Sequence, residues 1–498
     1  MSSLWENSVN FKNKFNKLNE NLDCDVCIVG GGIFGITCAY YLSMQGFKVI
    51  VLEKDFIGSK TTGNTTAKIT SQHGLFYDYL INSFGLKQAN DYLYINNKAI
   101  LEIKNIIDSE KIDCDFEFQD SFVYTTSKED LEAFYNEEKA LKTLNFNSSL
   151  LSSCSLPFGV ECALKFPNQA QFNPLKYLYS LCDIIIENGG KIFCDTCCFD
   201  FKMQDQFNFA YCMNGNFVKS KYLIIASHFP FKNFPGFYFS KMYQSTSYAI
   251  AFETNEPLFN GYYINNTPPL FSYRTALYNG KRIGIIVGSD NKTGKMVSYD
   301  NTYGILESEI FKFYKDAKIL FRWNTEDCIS LDKLPYVGYY SSLLKNVFVA
   351  TGFKKWGMTL SNVSANIICD MILGKENDYL YLFDSTRLKP IKNFDEVKNM
   401  TVDTTFSLVI DKLKTSNFEV SEIPEDSGKV IDIDGKKVGV YKDINSKLYF
   451  VNPICTHLGC LLSWNEVDKS WDCPCHGSRF DYMGKNLYGP GFKDLDRF

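Results

Sequence analysis

Only four histidines occur in the 498 residues of this chain, and two of them stand beside cysteines near its end. Cys455 and His457 form C-x-H within "CTHLGC", and Cys473 and His476 form C-x-x-H within "CPCHGS". Two thiolates and two imidazoles make a metal-binding donor set, for which zinc is the first candidate. A Cys2His2 zinc finger, however, pairs cysteine with cysteine and histidine with histidine. Here each loop supplies one sulfur and one nitrogen donor. That division suits two irons, one held by thiolates and one by imidazoles. A structural zinc knuckle is the competing reading of these residues alone.

A second stretch with chemical potential is "CDVCIVGGGIFGITCAYYLSMQGFKVIVLEKD". Gly30, Gly31, Gly32, Ile33, Phe34 and Gly35 contain G-x-G-x-x-G, placed after a β-rich run (Val26–Val29) and at the start of an apolar helix. Another apolar run, Val49–Leu52, ends at Glu53. Strand, glycine turn, helix and strand fit within about 30 residues, the size a parallel crossover needs. The glycines let backbone approach a pyrophosphate, and the helix N-terminus offers unpaired N–H groups to it. Glu53 is placed to accept from ribose hydroxyls. An incidental glycine turn is the simpler reading only where that context is missing.

The rest of the chain must position these two groups. "KYLYSLCDIIIENGGKIF" predicts a helix, a Gly-Gly turn and a strand, and "KSKYLIIASHFPF" a buried strand. From 86 to about 160 polar helices alternate with strands such as "FVYTTS", and between 240 and 320 runs such as "RIGIIVGS" predict an antiparallel sheet. "NVFVATGFKKWGMTLSNVSANIICDMILG" predicts a buried strand, a glycine turn and an apolar helix. After "FDSTRLKP" the apolar periodicity fades until about 415, which places a domain boundary near 410. Beyond it, "KVIDIDGKKVGVYKDINSKLYFV" has the short strands and Asp-Gly turn of an all-β unit.

Length and a hydrophobic fraction of 45% allow two or three domains with large cores. A net charge of −5 without a basic block argues against nucleic acid and anionic membrane as partners. The most apolar early run, 24–42, is broken by three glycines and too polar to span a bilayer, and no apolar leader precedes it. A cytoplasmic protein is expected. Most of the seventeen cysteines are scattered through apolar segments, and "CDTCC" at 194–198 sits in a strand-like run; buried packing is the expected role.

"CTHLGC" with "CPCHGS" resembles the disulfide-bearing branch of the Rieske [2Fe–2S] family. The resemblance implies that Cys455 and Cys473 bind one iron and His457 and His476 the other, with a Cys460–Cys475 disulfide clamping the loops. It also implies that Ser478 hydrogen-bonds a cluster sulfide and that Gly489–Pro490 lies on the loop covering the cluster. Respiratory members have a tyrosine two residues after that serine, where this chain has Phe480. A potential below theirs is expected, within about −150 to +300 mV.

The first βαβ unit, "GSKTTGNTTAKITSQHG" (58–74), "DKLPYVG" (332–338) and "VATGFKKWGMT" (349–359) resemble FAD-dependent oxidoreductases of the D-amino-acid oxidase and sarcosine oxidase superfamily. The resemblance implies an FAD site that includes Thr62, Gly63, Thr65, Thr66 and Lys68 near the flavin, Cys198 at the adenine, Ala226 and Gly338, and Gly352, Phe353, Gly357, Met358 and Thr359 at the isoalloxazine end. Taken alone, "TTGNTTAK" is equally a polar helix cap. The fold implied is an α/β Rossmann-type FAD-binding domain (about 22–85, 160–230 and 320–388) with an inserted antiparallel-sheet substrate domain (about 86–159 and 231–319). An N-terminal tail (1–21), a linker (389–414) and an all-β Rieske domain (415–498) complete it.

Related amine oxidases hold a substrate carboxylate with basic groups. Thr359 and Trp356 stand where they have lysine and histidine, so Arg274, Lys354 or Lys355 would have to substitute. For Arg274 a surface ion pair is the plainer role. His73 and His228 are left for acid–base work, or for packing, and Cys328 lies near the flavin-proximal strand. They lack the spacing for the mononuclear iron of a Rieske oxygenase. The expected function is an FAD-dependent oxidoreductase that takes a hydride from a small amine or amino-acid-like substrate and passes single electrons through the cluster to an external acceptor. An oxygen-reducing oxidase with an auxiliary Rieske domain and a redox sensor without turnover are the alternatives.

Overall fold

The computed structural model describes residues 2–9, 14–295, 297–387 and 418–498; the expected linker 389–414 lies outside them. The strand Leu22–Val29 lies between Val49–Leu52 and Phe217–Ile225, parallel to both, and the sheet continues to Lys191–Phe193 on one side and Leu344–Thr351 on the other. Its strands read as continuous apolar runs because both faces are covered. Val26, Ile28, Val49 and Val51 pack into one core, while Cys27, Val29, Ile50 and Leu52 pack into another. The helix Ile33–Met44 packs with Pro174–Glu187 and Gly357–Ile372. Cys194, Cys198 and Cys212 are buried in these layers, and burial pushes the Cys194 and Cys212 thiols up to about 12. Among the described residues the 194–198 cysteines form no metal-sized cluster.

A nine-stranded, mostly antiparallel sheet stands beside this layer, ordered from Lys318–Ser330 at one edge through Met242–Glu253, Lys281–Lys292, Phe271–Tyr278, Tyr262–Asn265, Glu117–Thr125 and Cys162–Gln171 to Lys68–Ile69, with Ser149–Leu151 also paired to Cys162–Gln171. It reaches past the 86–159 and 231–319 segments: Lys68–Ile69, Cys162–Gln171 and most of Lys318–Ser330 come from stretches assigned to the FAD-binding part. Pairing partners decide a strand's sheet, and the periodicity of a single segment does not reveal them.

Residues 2–9 of the N-terminal tail pack on the body of the protein. Leu4 and Trp5 are buried, the Ser3 hydroxyl donates to the Gly63 carbonyl, and the Trp5 indole N–H donates to the Thr65 carbonyl at 2.6 Å. They buttress the turn around 61–66.

The C-terminal unit is all β. Ser427–Ile433, Lys436–Lys442 and Leu448–Val451 form one sheet; Ser463–Asn465, Ser470–Asp472, Arg479–Asp481 and Asn486–Tyr488 form another. It sits against the edge strand Lys318–Ser330, where Arg479 pairs with Glu326. Among the described residues no helix is long and apolar enough to cross a membrane.

Candidate functional site

The two cysteine–histidine loops have matching backbones. The Cys455 N–H donates to the Cys460 carbonyl and the Cys473 N–H to the Ser478 carbonyl, both at 2.8 Å. Gly459 and Gly477 turn the loops, each donating back to its cysteine's carbonyl. Cys460 and Cys475 are joined by a disulfide. Cys455, Cys473 and His476 are buried, and the two imidazole rings stand perpendicular with centroids 4.9 Å apart.

The donor set fits a diiron cluster. Nδ1 of His457 and Nδ1 of His476 are buried without a protein partner. Such an atom left unpaired costs about 1–3 kcal/mol, so the two point to a bound group. The other nitrogen of His457, Nε2, lies 2.7 Å from Asn233 Oδ1. Donation from Nε2–H to that oxygen leaves Nδ1 as a bare acceptor, as ligation requires. Ser478 Oγ accepts from the Gly491 N–H at 2.8 Å, which ties the Gly489–Pro490 loop to the second cysteine loop.

The dinucleotide motif opens into a cavity with about 1500 Å³ between its walls, solvent at the mouth included. Gly30, Gly32, Ile33, Phe34, Glu53, Thr62, Thr65, Cys198, Ala226, Phe353, Gly357, Met358 and Lys355 all line it. At Gly30 φ is +119° and a Cβ would lie 2.3 Å from the Ala226 carbonyl oxygen, so only glycine permits this turn. The helix Ile33–Met44 has Gly32 as an N-cap without a side-chain bond. Glu53 accepts from the Gly31 N–H at 2.7 Å and the Asp55 N–H at 2.8 Å; burial raises its carboxyl and these bonds oppose that. Three further wall atoms, His228 Nε2, Gln244 Oε1 and Ser361 Oγ, are buried without partners. Glycine backbone, a carboxylate at the second strand and unpaired polar atoms fit FAD.

Other expected residues lie behind the wall. Gly31, Gly35, Gly63 and Gly352 shape the turns around the cavity without lining it. Thr66 and Lys68 are tied up with Arg274 and Ser272: the Arg274 guanidinium donates to the Thr66 and Ala67 carbonyls, and Lys68 Nζ to Ser272 Oγ. Burial lowers Lys68 to about 7. Gly338 packs against Leu380 and Ser385. Thr359 donates to the Thr70 carbonyl at 3.0 Å.

Arg274 is neither a surface ion pair nor a free clamp. It is 2% exposed, its Nε donates to the Thr275 carbonyl at 3.1 Å, and its guanidinium carbon lies 5.2 Å from the Trp5 ring centre. His73 is a packing histidine: Nδ1 meets Tyr92 Oη at 2.6 Å, Nε2 meets the Thr70 carbonyl at 2.8 Å, and the ring stacks on Trp356. Burial lowers it to about 3. Lys354 lies over the Phe76 ring, outside the cavity. Lys355 does reach the wall, where it pairs with Asp290 at 2.5 Å and donates to Ser247 Oγ at 2.8 Å. The Cys328 thiol lines the cavity, faces the His228 carbonyl and is raised well above its ordinary value by burial.

Sequence reasoning missed the residues that join the two sites. Phe229 and Phe239 pack on the His457 ring, and Phe239 also packs on His476. Gln244 Nε2 donates to the His476 and Gly489 carbonyls, both at 2.8 Å. Arg479 and Glu326 form a fully buried pair, with Asp468 and Asp472 completing the acidic surround. No local pattern could reveal partners more than 150 residues apart; an unpaired charge in a strand-like run, as at Glu326, was the one available signal.

Comparison with known proteins agrees with this geometry. The model of the FAD dependent oxidoreductase family (DAO) matches residues 25–371, and that of the Rieske [2Fe-2S] domain matches 415–498. The "Putative Rieske 2Fe-2S iron-sulfur protein YhfW" of Bacillus subtilis (strain 168) is 35% identical over 491 residues, 99% of this chain and 96% of the relative. The gamma-glutamylputrescine oxidoreductase of Escherichia coli (strain K12) is 23% identical over 394 residues, 75% of this chain and 89% of that one. The crystal structure of glycine oxidase from Geobacillus kaustophilus shares the fold at TM-score 0.64 and 16% identity, covering 74% of this chain and all of that one. The chain belongs to the FAD-dependent oxidoreductase family, and over residues 415–498 it adds a Rieske [2Fe–2S] domain.

Proposed function

We propose that this oxidoreductase oxidises a small amine or amino-acid-like substrate at the Phe353–Met358 end of the cavity and passes the electrons singly through the Rieske domain to an outside acceptor. The observation that carries this reading is the orientation of the C-terminal unit: its two histidines pack on Phe229 and Phe239, and its Asn486–Phe492 loop lines the cavity. FAD, when bound, accepts a hydride and can release electrons one at a time, and a [2Fe–2S] cluster takes one. The named relatives, a γ-glutamylputrescine oxidoreductase and a glycine oxidase, point to amino compounds.

The residues at that end favour an ammonium over a carboxylate. Arg274 is spent on backbone carbonyls, and Lys355 is neutralised by Asp290. Asp327 lines the cavity, and burial pushes its carboxyl up to about 7, with Lys355 pulling the other way. His228 is held neutral, lowered to about 4 by burial, with Nε2 unpaired. Burial makes this imidazole a weak base whose Nε2 can accept a hydrogen bond from the ammonium, while Asp327 is the stronger acceptor for the proton that must be shed before oxidation.

The test is an anaerobic titration of the holoprotein with a panel of amines and amino acids, following flavin absorbance and the Rieske EPR signal together. Amine-dependent bleaching with growth of the reduced-cluster signal is the expected result. Bleaching with a cluster that stays oxidised sinks the relay, and no bleaching by any amino compound sinks the substrate class.

A further inference from the structure

We propose that the Rieske domain is part of the FAD site itself: its loop Asn486–Phe492 closes the cavity, so that FAD is held between the two domains. Leu487, Tyr488, Pro490 and Phe492 line the same cavity as Gly30, Gly32 and Glu53.

The loop is fastened on both sides. Toward the cluster, the Gly491 N–H donates to Ser478 Oγ at 2.8 Å and the Thr456 hydroxyl donates to the Lys493 carbonyl at 3.0 Å. Toward the flavoprotein, Lys54 Nζ donates to Asn486 Oδ1, Asn64 Nδ2 donates to Tyr488 Oη at 3.2 Å, and Lys60 Nζ lies 5.1 Å from the Tyr488 ring centre. Phe199 and Phe492 face each other with centroids 6.0 Å apart.

The docking that places the loop has the character of a standing interface. Arg479 is 2% exposed and Glu326 0%, so their cross-domain pair is fully removed from water. At Gly294 a Cβ would lie 2.4 Å from Pro474, and at Gly477 one would lie 2.6 Å from Gln244 Cβ. Backbone on each side meets the other domain with no room for a side chain. Such close, desolvated contact resembles the core of a protein–protein interface rather than its wet rim. Because FAD would touch both halves, its binding and domain docking must strengthen each other by the same factor.

Two full-length variants and one measurement on the native holoprotein test this. Glu326→Lys opposes Arg479 with a like charge, yet Glu326 does not line the cavity; Tyr488→Ala removes part of the wall. The expected result is a rise of at least about tenfold in the FAD dissociation constant for each, read from released flavin fluorescence. Iron and sulfide content and the visible circular dichroism of the cluster report whether the Rieske unit is intact. If Glu326→Lys loses its cluster, Tyr488→Ala decides alone. In the native protein, stripping FAD with bromide is expected to raise hydrogen exchange across 486–492. FAD affinity within twofold of native in a cluster-bearing variant, or exchange unchanged on FAD removal, overturns the proposal. Either result would leave the amine-to-acceptor relay standing, so the two fail separately.

Discussion

His457 Nε2 and Asn233 Oδ1 lie 2.7 Å apart, and they belong to different domains. The expected cluster ligand His457 thus has its outer nitrogen covered by the flavoprotein. An acceptor on that N–H increases the electron donation of the ring to iron. Asn233→Leu is therefore expected to raise the cluster reduction potential by roughly 20–60 mV, the equivalent of one modest hydrogen bond in a one-electron couple. Redox titration followed by EPR checks this; a potential unchanged or lowered contradicts it.

Among the described residues, Arg479 is the only cation paired with the three buried carboxylates Glu326, Asp468 and Asp472. Removing it leaves them uncompensated, a change that costs about 3–5 kcal/mol at comparable buried pairs. Arg479→Met is expected to lower the thermal midpoint of the cluster-loaded protein and to separate the unfolding of the two domains. A melting curve superimposable on the native one would show that the pairs carry no such weight.

The pH dependence follows from Asp327, whose carboxyl burial pushes up to about 7. Below that pH the group is protonated and neutral, and above it the group is anionic. Binding of an ammonium ligand should strengthen as pH rises from about 6 to 8 and then level off. The folded chain holds this proton more tightly than the unfolded chain, so its contribution to stability falls as pH rises from about 4 to 7. Asp327→Asn should flatten both profiles. A binding profile that keeps its slope in Asp327→Asn assigns the titration elsewhere.

Arg274 is expected to act on the wall and not on the substrate. Its donors serve the Thr66, Ala67 and Thr275 carbonyls. Arg274→Lys keeps the charge but cannot reach three acceptors in a fixed fork. A loss of about 1.5–3 kcal/mol in stability with KM for the amine substrate unchanged is the expected outcome. A rise in KM of tenfold or more with native stability would restore it as a substrate clamp.

Much of this was legible in the residues. Gly30 to Glu53 is a local pattern in which each residue type has one task, and the strand and helix limits around it are set by the same apolar runs that bury them. The cluster loops are also local, four candidate ligands and a disulfide within 22 residues of sequence. What the residues did not reveal is how the two units meet. Asn233 with His457, Glu326 with Arg479 and Lys54 with Asn486 are pairs of ordinary polar residues far apart in the chain. Arg274 was misleading for a related reason: backbone carbonyls are its partners, and these leave no trace in side-chain identity. The strands Cys162–Gln171 and Lys318–Ser330 alternate much as their neighbours do, so their sheet depended on partners that composition cannot name.

The most direct test is the rate at which the cluster is reduced after substrate is mixed anaerobically with oxidised holoprotein. If the Rieske domain is docked on the flavin site, that rate is the same when the protein is diluted a hundredfold, since both centres travel in one chain. A rate that falls in proportion to protein concentration would mean that the cluster is served by another molecule, and the account of a shared wall between the two sites would be wrong.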